Sequence, residues 1–224
     1  MTTIYHVNDF SISPIGPGRL TLITGTIYGV ALNDEKERAE MADAFNETPY
    51  KLPPNAPVLY VKPHNCVTLN AGRVVIDADI AQLIAAPTLA LLFEGAPNTP
   101  TGIALAIDLF EAHDSVYRPA IRQQCRDGFL PFGASCEWTP DILGKTFSFG
   151  LDAQPPLTFD LKQLVRAPAQ LVKDISGFMT LCDADALLVG LPLKVNVPKG
   201  TLRLAVAGPG MPGLTVELDW EQSQ

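Results

Sequence analysis

The run from Val116 to Pro131 carries the densest chemistry in the chain. Four charged side chains (Arg118, Arg122, Arg126 and Asp127) and two prolines fall there, between segments that are mostly apolar. The arginines recur every fourth residue, so any helical part of the run sets them on one face. Guanidinium groups in a row offer planar forks of donors to a carboxylate or a phosphate. The bland alternative is an arginine stripe neutralised by the chain's own acids. The sequence leaves both readings open.

Three further spots hold reactive groups. Lys62-Pro63-His64-Asn65 follows a short apolar run, and its ordinary reading is a surface lysine beside a turn proline. His64 alone, without a partner at ligand spacing, is weak evidence for a metal. Asp108 closes the apolar run Ile103–Ile107, with Glu111, His113 and Asp114 behind it on a polar segment. A hard cation takes several oxygens, so one aspartate does not hold magnesium alone. A solvated turn is the ordinary reading of the other three. Glu35 and Glu37 stand in the first turn of a helix that Asn33 or Asp34 can cap and that runs to Phe45, where the dipole favours acids. Ala39, Ala42 and Phe45 give it a narrow apolar face.

The positioning elements are mostly strands. Residues 20–32 are rich in Thr, Ile, Val and Tyr and are broken by Gly25 and Gly29, which reads as a strand with a bulge or turn. Val58–Val61, Arg73–Asp77, Thr88–Phe93, Ile103–Ile107 and Lys145–Phe149 read as strands, with Thr88–Phe93 apolar enough to be buried on both faces. Leu161, Leu164, Val165, Leu171, Val172, Ile175 and Phe178 fall at helical steps, with Pro168 expected to kink or split that helix. Short strands separated by Gly and Pro turns follow to Leu218. Residues 1–20 show no sustained period and read as an arm or tail, leaving 21–224 as one domain. The fold class expected is α+β, mainly β.

Composition narrows the partners. The chain of 224 residues carries a net charge of −8, which argues against nucleic acid or an anionic membrane. No apolar run approaches the ~20 residues of a membrane-spanning helix, and no secretory signal is visible at the N-terminus. Cys66, Cys125, Cys136 and Cys182 are scattered without a C-x-x-C spacing, which suits reduced thiols in the cytoplasm.

Tyr117-Arg118-Pro119-Ala120-Ile121 followed by Cys125-Arg126-Asp127-Gly128-Phe129-x-Pro131 resembles the fumarylacetoacetate hydrolase superfamily. Gly25–Asn33, Pro49–Pro54, Val61–Asn65, Gly177–Leu181 and Gly190-Leu191-Pro192 resemble further family segments in the same order. The narrower resemblance is to the N-terminal half, or separate subunit, of isomerase/decarboxylases of 4-hydroxyphenylacetate degradation. The resemblance implies a mixed β-sandwich roll and magnesium- or manganese-assisted chemistry on 2-oxo acids. The reactions it implies are decarboxylation of a 2-oxo-hexenedioate tricarboxylate and isomerisation of a hydroxyhepta-diene-dioate. It assigns catalytic positions to Lys62, Arg126 and Asp127, substrate-binding positions to Arg118, Arg122, Asn65 and Gly190, and a metal-ligand position to Asp108.

Departures from the pattern qualify that assignment. Relatives place a histidine and a glutamate on the first helix, where this chain has Glu37 and Glu40. They carry Glu-x-Glu where it has Ala86 and Thr88, and a lysine where it has Gln124. A solvated helix face is the ordinary reading of Glu37. Arg126 and Asp127 are retained, their ordinary role being a mutual ion pair that pins the loop. No cofactor is expected for the chain alone. The expected partners are a small dicarboxylate or 2-oxo acid, and either further copies of the chain or a catalytic homologous subunit. A stand-alone enzyme using Asp108, His113, Lys62 and Arg126, and a non-catalytic dicarboxylate-binding module, remain alternatives.

Overall fold

The computed structural model describes residues 5–7, 10–12, 23–48, 51–113 and 120–222. The elements are β1 (Tyr5–Val7), β2 (Phe10–Ile12), β3 (Ile27–Ala31), α1 (Glu35–Glu40), α2 (Ala42–Asn46), β4 (Val58–Lys62), β5 (Val67–Leu69), β6 (Arg73–Ile76), β7 (Leu83–Phe93), β8 (Pro100–Glu111), α3 (Ile121–Gln124), β9 (Leu130–Glu137), β10 (Thr146–Leu151), β11 (Leu157–Asp160), α4 (Pro168–Ser176), β12 (Ala186–Leu188), β13 (Val195–Val197), β14 (Arg203–Ala207) and β15 (Leu214–Trp220). Of the arm read over residues 1–20, only β1 and β2 are described, and they pair antiparallel.

Among the described residues, one mixed sheet runs β4-β3-β12-β7-β8-β9-β5, with β13 also on β7. A second sheet runs β11-β10-β14-β15-β6. The fold is the mainly-β roll that the sequence leads one to expect. Its centre is the long hairpin of β7 and β8, in which every β7 residue but one is buried. Side chains alternate faces along a strand. Leu89, Leu91 and Phe93 of β7, with Ile103, Leu105, Ile107 and Leu109 of β8, enter the main core with Phe147, Phe149, Leu204 and Val216 of the second sheet. Ala90, Leu92, Ala104 and Ala106 point to the other face, into a smaller cluster with Ile27, Ala186, Leu188, Leu130 and Phe132. Large side chains thus fill the space between the sheets, and small ones leave room on the opposite face.

Pro87 lies in the middle of β7, where a ladder N–H is normally required. β13 pairs with Leu83–Ala85 and β12 with Ala90–Leu92, so Pro87 falls in the gap between two short neighbours. The chain crosses this gap at Val189 and Gly190, and Thr88 donates its hydroxyl to the Gly190 carbonyl at 2.5 Å.

The helices depart from the sequence expectation. The segment 35–46 is two short helices rather than one. Asp34 caps α1 by accepting from the Lys36 and Glu37 amides, whereas of the expected apolar face Ala39 and Ala42 are exposed and Phe45 is buried. Pro168 does not kink a helix over 161–178; it opens α4 at a position where its missing N–H costs nothing. Leu161 is buried from a turn, and Phe178 lies outside the helix, 62% exposed. Strand β9 follows the Gly128 turn directly and completes the main sheet between β8 and β5.

Asn33 fastens these pieces together. Its amide donates to Val189 O at 2.7 Å and Arg166 O at 3.0 Å, and its oxygen accepts from the Arg166 amide at 3.0 Å. The side chain is 1% exposed, so water cannot replace these bonds. Asn33→Ala should cost roughly 2–4 kcal/mol of unfolding free energy, read from urea denaturation.

Candidate functional site

The small-residue face of the β7–β8 hairpin carries the candidate site. Alternation puts Ala86, Thr88 and Ala90 of β7 beside Asp108, Ala106 and Ala104 of β8, with Ala86 directly opposite Asp108. Asp108 is 2% exposed among these neighbours.

A carboxylate at this depth needs a counter-charge. Lys62, fully buried at the end of β4, supplies it with Nζ 2.6 Å from Asp108 Oδ1. The same ammonium donates to Leu109 O at 2.8 Å, Gln124 O at 2.5 Å and Phe129 O at 3.4 Å, so its three hydrogens are used on backbone carbonyls. The other carboxylate oxygen accepts from the Tyr60 hydroxyl. Tyr60 and Lys62 stand two apart on one strand and therefore share a face. Tyr60 is paired with Gly29 on β3, and its ring crosses the space a side chain would need: a Cβ on Gly29 would lie 2.1 Å from the ring. Burial, and then the Asp108 charge, push the Tyr60 hydroxyl well above its ordinary range.

Glu37 is a correction to the sequence reading. It is buried rather than solvated, accepting from the Leu32 amide at 2.7 Å and pairing with Lys194 Nζ at 2.7 Å. Leu32 holds a left-handed backbone, φ 56°, which aims its amide at Glu37 while its carbonyl accepts from Arg38 Nε at 2.9 Å. Glu40 is exposed. The missed signal is the Leu32-Asn33-Asp34 turn, where the chain reverses onto its own helix.

The Cys125–Gly128 loop docks beside the Lys62 end of β4. Asn65 Nδ2 donates to Asp127 Oδ1 at 2.6 Å and Cys125 O at 3.2 Å, and the Gly128 amide donates to Asn65 O at 2.9 Å. Arg126 and Asp127 do not pair with each other, contrary to their ordinary reading. Arg126 bonds Asp77, Asp79 (3.1 and 3.2 Å) and Glu111 (3.3 Å). Arg122 reaches the same Asp79 at 2.6 Å, from α3. Hydrogen bonds from Arg126 and then Arg122 hold the Asp79 carboxyl below its usual range. Arg118 lies outside the described residues, as do Asp114 and the rest of the run before Ala120. His113 meets the Gln124 side chain at 3.4 Å and the Phe110 ring edge-on. Gly190, with φ 148°, approaches Leu164 and Asn33 closely and gives its carbonyl to Thr88.

The geometry joins Lys62 to Asp108, and through the Gln124 backbone to the arginine loop. Arg122 and Arg126 converge on acids of the β6–β7 connection. The donor set does not suit a divalent cation. Asp108 faces an ammonium and a phenol, Ala86 brings no oxygen, and the Thr88 hydroxyl is directed at Gly190 O. Among the described residues no group of three His, Cys, Asp or Glu side chains is arranged to hold a metal ion.

Residues 26–210 match the model of the fumarylacetoacetate (FAA) hydrolase C-terminal domain. The chain belongs to the fumarylacetoacetate hydrolase family. It is 33% identical, over 200 residues, to the 4-hydroxyphenylacetate degradation bifunctional isomerase/decarboxylase of Escherichia coli, and 30% identical, over 199 residues, to that of Salmonella dublin. Both alignments take in 85% of this chain but 46% of the relative, so the chain spans about half the length of these proteins. Its fold matches 5-carboxymethyl-2-hydroxymuconate delta-isomerase from Mycobacterium smegmatis with a TM-score of 0.72 at 18% identity, covering 90% of this chain and 81% of that one. It matches fumarylpyruvate hydrolase from Pseudomonas aeruginosa, solved with Mn2+ and pyruvate, with a TM-score of 0.70 at 18% identity, covering 99% and 96%.

The buried pair makes two measurable demands. Lys62→Met strands the Asp108 charge and should cost about 3–5 kcal/mol in urea unfolding. Lys62→Met combined with Asp108→Asn removes both charges and should recover much of that loss; simple additivity would mean the two groups are not coupled. Tyr60 has a folded pKa raised above the unfolded value near 10. Its contribution is therefore complete below that pH and lost as pH climbs beyond it. Tyr60→Phe should remove that part of the alkaline decline, followed as unfolding free energy against pH.

Proposed function

We propose that this chain is the half of a 4-hydroxyphenylacetate-type isomerase/decarboxylase whose own metal site is degenerate, working beside a catalytic homologous subunit. The observation that carries this reading is the Lys62–Asp108 pair. The only family metal-ligand position that keeps a carboxylate, Asp108, spends it on an internal ammonium. The relatives' length supports it too, since this chain accounts for under half of each. In this reading the assembly decarboxylates a 2-oxo-hexenedioate tricarboxylate and isomerises the resulting hydroxyhepta-diene-dioate, with the divalent ion held by the partner. The chain's own contribution is scaffold and anion recognition: Arg118 and Arg122 for carboxylates, Arg126, Asp127 and Asn65 as supports of the loop, and Gly190 at the substrate-binding position that the family resemblance gives it. The assembly works in the cytoplasm.

A rearranged stand-alone site built from Asp108, His113, Lys62 and Arg126 has less behind it. Lys62 has no hydrogen left to offer, and Arg126 engages three carboxylates.

Calorimetric titration of manganese, with oxalate present as an enolate mimic, into the chain alone tests the proposal. The expected result is no stoichiometric binding, together with no decarboxylation of a 2-oxo acid by the chain alone. Stoichiometric manganese uptake that disappears in Asp108→Asn would overturn the degenerate-site reading.

A further inference from the structure

Two thiols meet where the arginine loop docks. Cys66 ends the short 3-10 turn His64–Cys66 and is fully buried. Cys125 follows α3 and is half-buried. Both belong to the apolar cluster on the small-residue face, where each thiol lies within reach of the other's charge. Cys125 Sγ also lies 3.6 Å from Val61 O on β4. The backbones on either side are fixed to each other through Asn65, which bonds Cys125 O and Asp127 and accepts from the Gly128 amide. The two cysteines are thus held side by side by bonds that do not involve sulfur. Cys136 lies on β9, and Cys182 is exposed.

We propose that Cys66 and Cys125 are a redox-active pair that closes to a reversible disulfide when the chain meets a hydroperoxide. Cys125, the accessible member, attacks the distal peroxide oxygen as thiolate. The O–O bond breaks, the alcohol or water leaves, and Cys125 becomes a sulfenic acid. Cys66 then attacks the sulfenic sulfur, the S–S bond forms, and the expelled hydroxide takes the Cys66 proton as water. The peroxide gains the two electrons that the two thiols lose, and a dithiol reductant reverses the change. Burial pushes the Cys66 thiol up to about 12 and raises Cys125 as well, with Asp108 adding to both and the Lys62 ammonium opposing. Closure is therefore slow near neutral pH and faster in alkali, where thiolate accumulates.

The bridge would staple the turn after β4 to the loop that carries Arg126 and Asp127. It closes a loop of about 60 residues. By restricting the unfolded chain, it should raise the melting temperature by roughly 5–15 °C. The proposal stands apart from the functional reading above and does not depend on whether the chain turns over substrate.

The test uses the full chain carrying Cys182→Ser, so that the exposed thiol cannot cross-link molecules. It is treated with hydrogen peroxide, and intact mass and peptide maps are recorded before and after reduction. The expected result is loss of two hydrogens, a linked peptide containing Cys66 and Cys125, a higher melting temperature, and return of all three to the starting values with dithiothreitol. In Cys66→Ser, Cys125 should instead persist as a sulfenic acid trapped by dimedone. Cys125→Ser, altered at the less buried position, should lose the bridge while folding normally. Peroxide treatment that leaves both thiols free, or carries Cys125 to sulfinic acid in the parent chain without a link to Cys66, would overturn the proposal.

Discussion

A buried ammonium facing a buried carboxylate sets the terms for this half of the molecule. Removing either charge from water costs several kcal/mol, and attraction between them offsets that only with good geometry and full hydrogen bonding. Here the ammonium is fully hydrogen-bonded, while Asp108 Oδ1 meets it at 2.6 Å as a charge contact alone. Lys62 donates to Leu109 O, Gln124 O and Phe129 O, and Asp108 accepts from Tyr60 on its other oxygen. The partners of Lys62 belong to the end of β8, to α3 and to the turn before β9, while Lys62 itself is on the sheet-edge strand β4. One ammonium therefore fixes an edge strand, the central hairpin and the arginine loop relative to one another. A hydrophobic replacement could match its stability but not its ability to bind three backbone carbonyls and a carboxylate at once.

The room for this arrangement comes from the choice of small side chains on one face of the hairpin. Ala86, Ala90, Ala104 and Ala106 keep that face shallow, while Leu and Ile on the opposite face fill the inter-sheet core. Gly29 extends the same economy to β3, since any side chain there would collide with the Tyr60 ring. The space that remains is neutral in sum, with one carboxylate, one ammonium and one phenol. A divalent cation placed there would meet an ammonium before it met a second anionic oxygen. Charge balance as well as ligand count therefore separates this site from one that binds a hard metal.

Much of the fold was legible because it rests on local periodicity. The apolar run Thr88–Phe93 marks the centre of β7, and the Thr, Ile and Val enrichment near Tyr28 marks β3. Pro168 was misread because a proline between apolar residues at helical steps can either kink a helix or open one, and spacing does not distinguish the two. Glu37 was misread because its burial depends on Leu32 and on Lys194, more than 150 residues away. The pairing of Lys62 with Asp108 spans 46 positions and leaves no local mark. Tyr60 and Lys62 at alternate positions of a strand did leave one, since two polar side chains on the same face call for a partner. The arginine loop lay between these cases: its spacing was visible, its acids on the β6–β7 connection were not.

Magnitudes decide what holds that loop in place. Arg122 and Asp79 are 72% and 48% exposed, and solvent screens pairs of that kind so that they contribute little. Arg126 is more sheltered, yet Asp77 and Asp79 face solvent. The bonds from Lys62 to Gln124 O, and the exchange between Asn65 and the backbone of Cys125 and Gly128, lie on the chain itself and do not depend on the arginine heads. The loop is thus positioned by its backbone, and the guanidinium of Arg122 is left weakly committed. An incoming carboxylate could displace Asp79 from it without disturbing the fold, because nothing structural rests on that pair. The same cannot be said of Lys62, whose every hydrogen is part of the frame. Lys62 thus ties three elements together, while the exposed Arg122 is held by the Asp79 carboxylate.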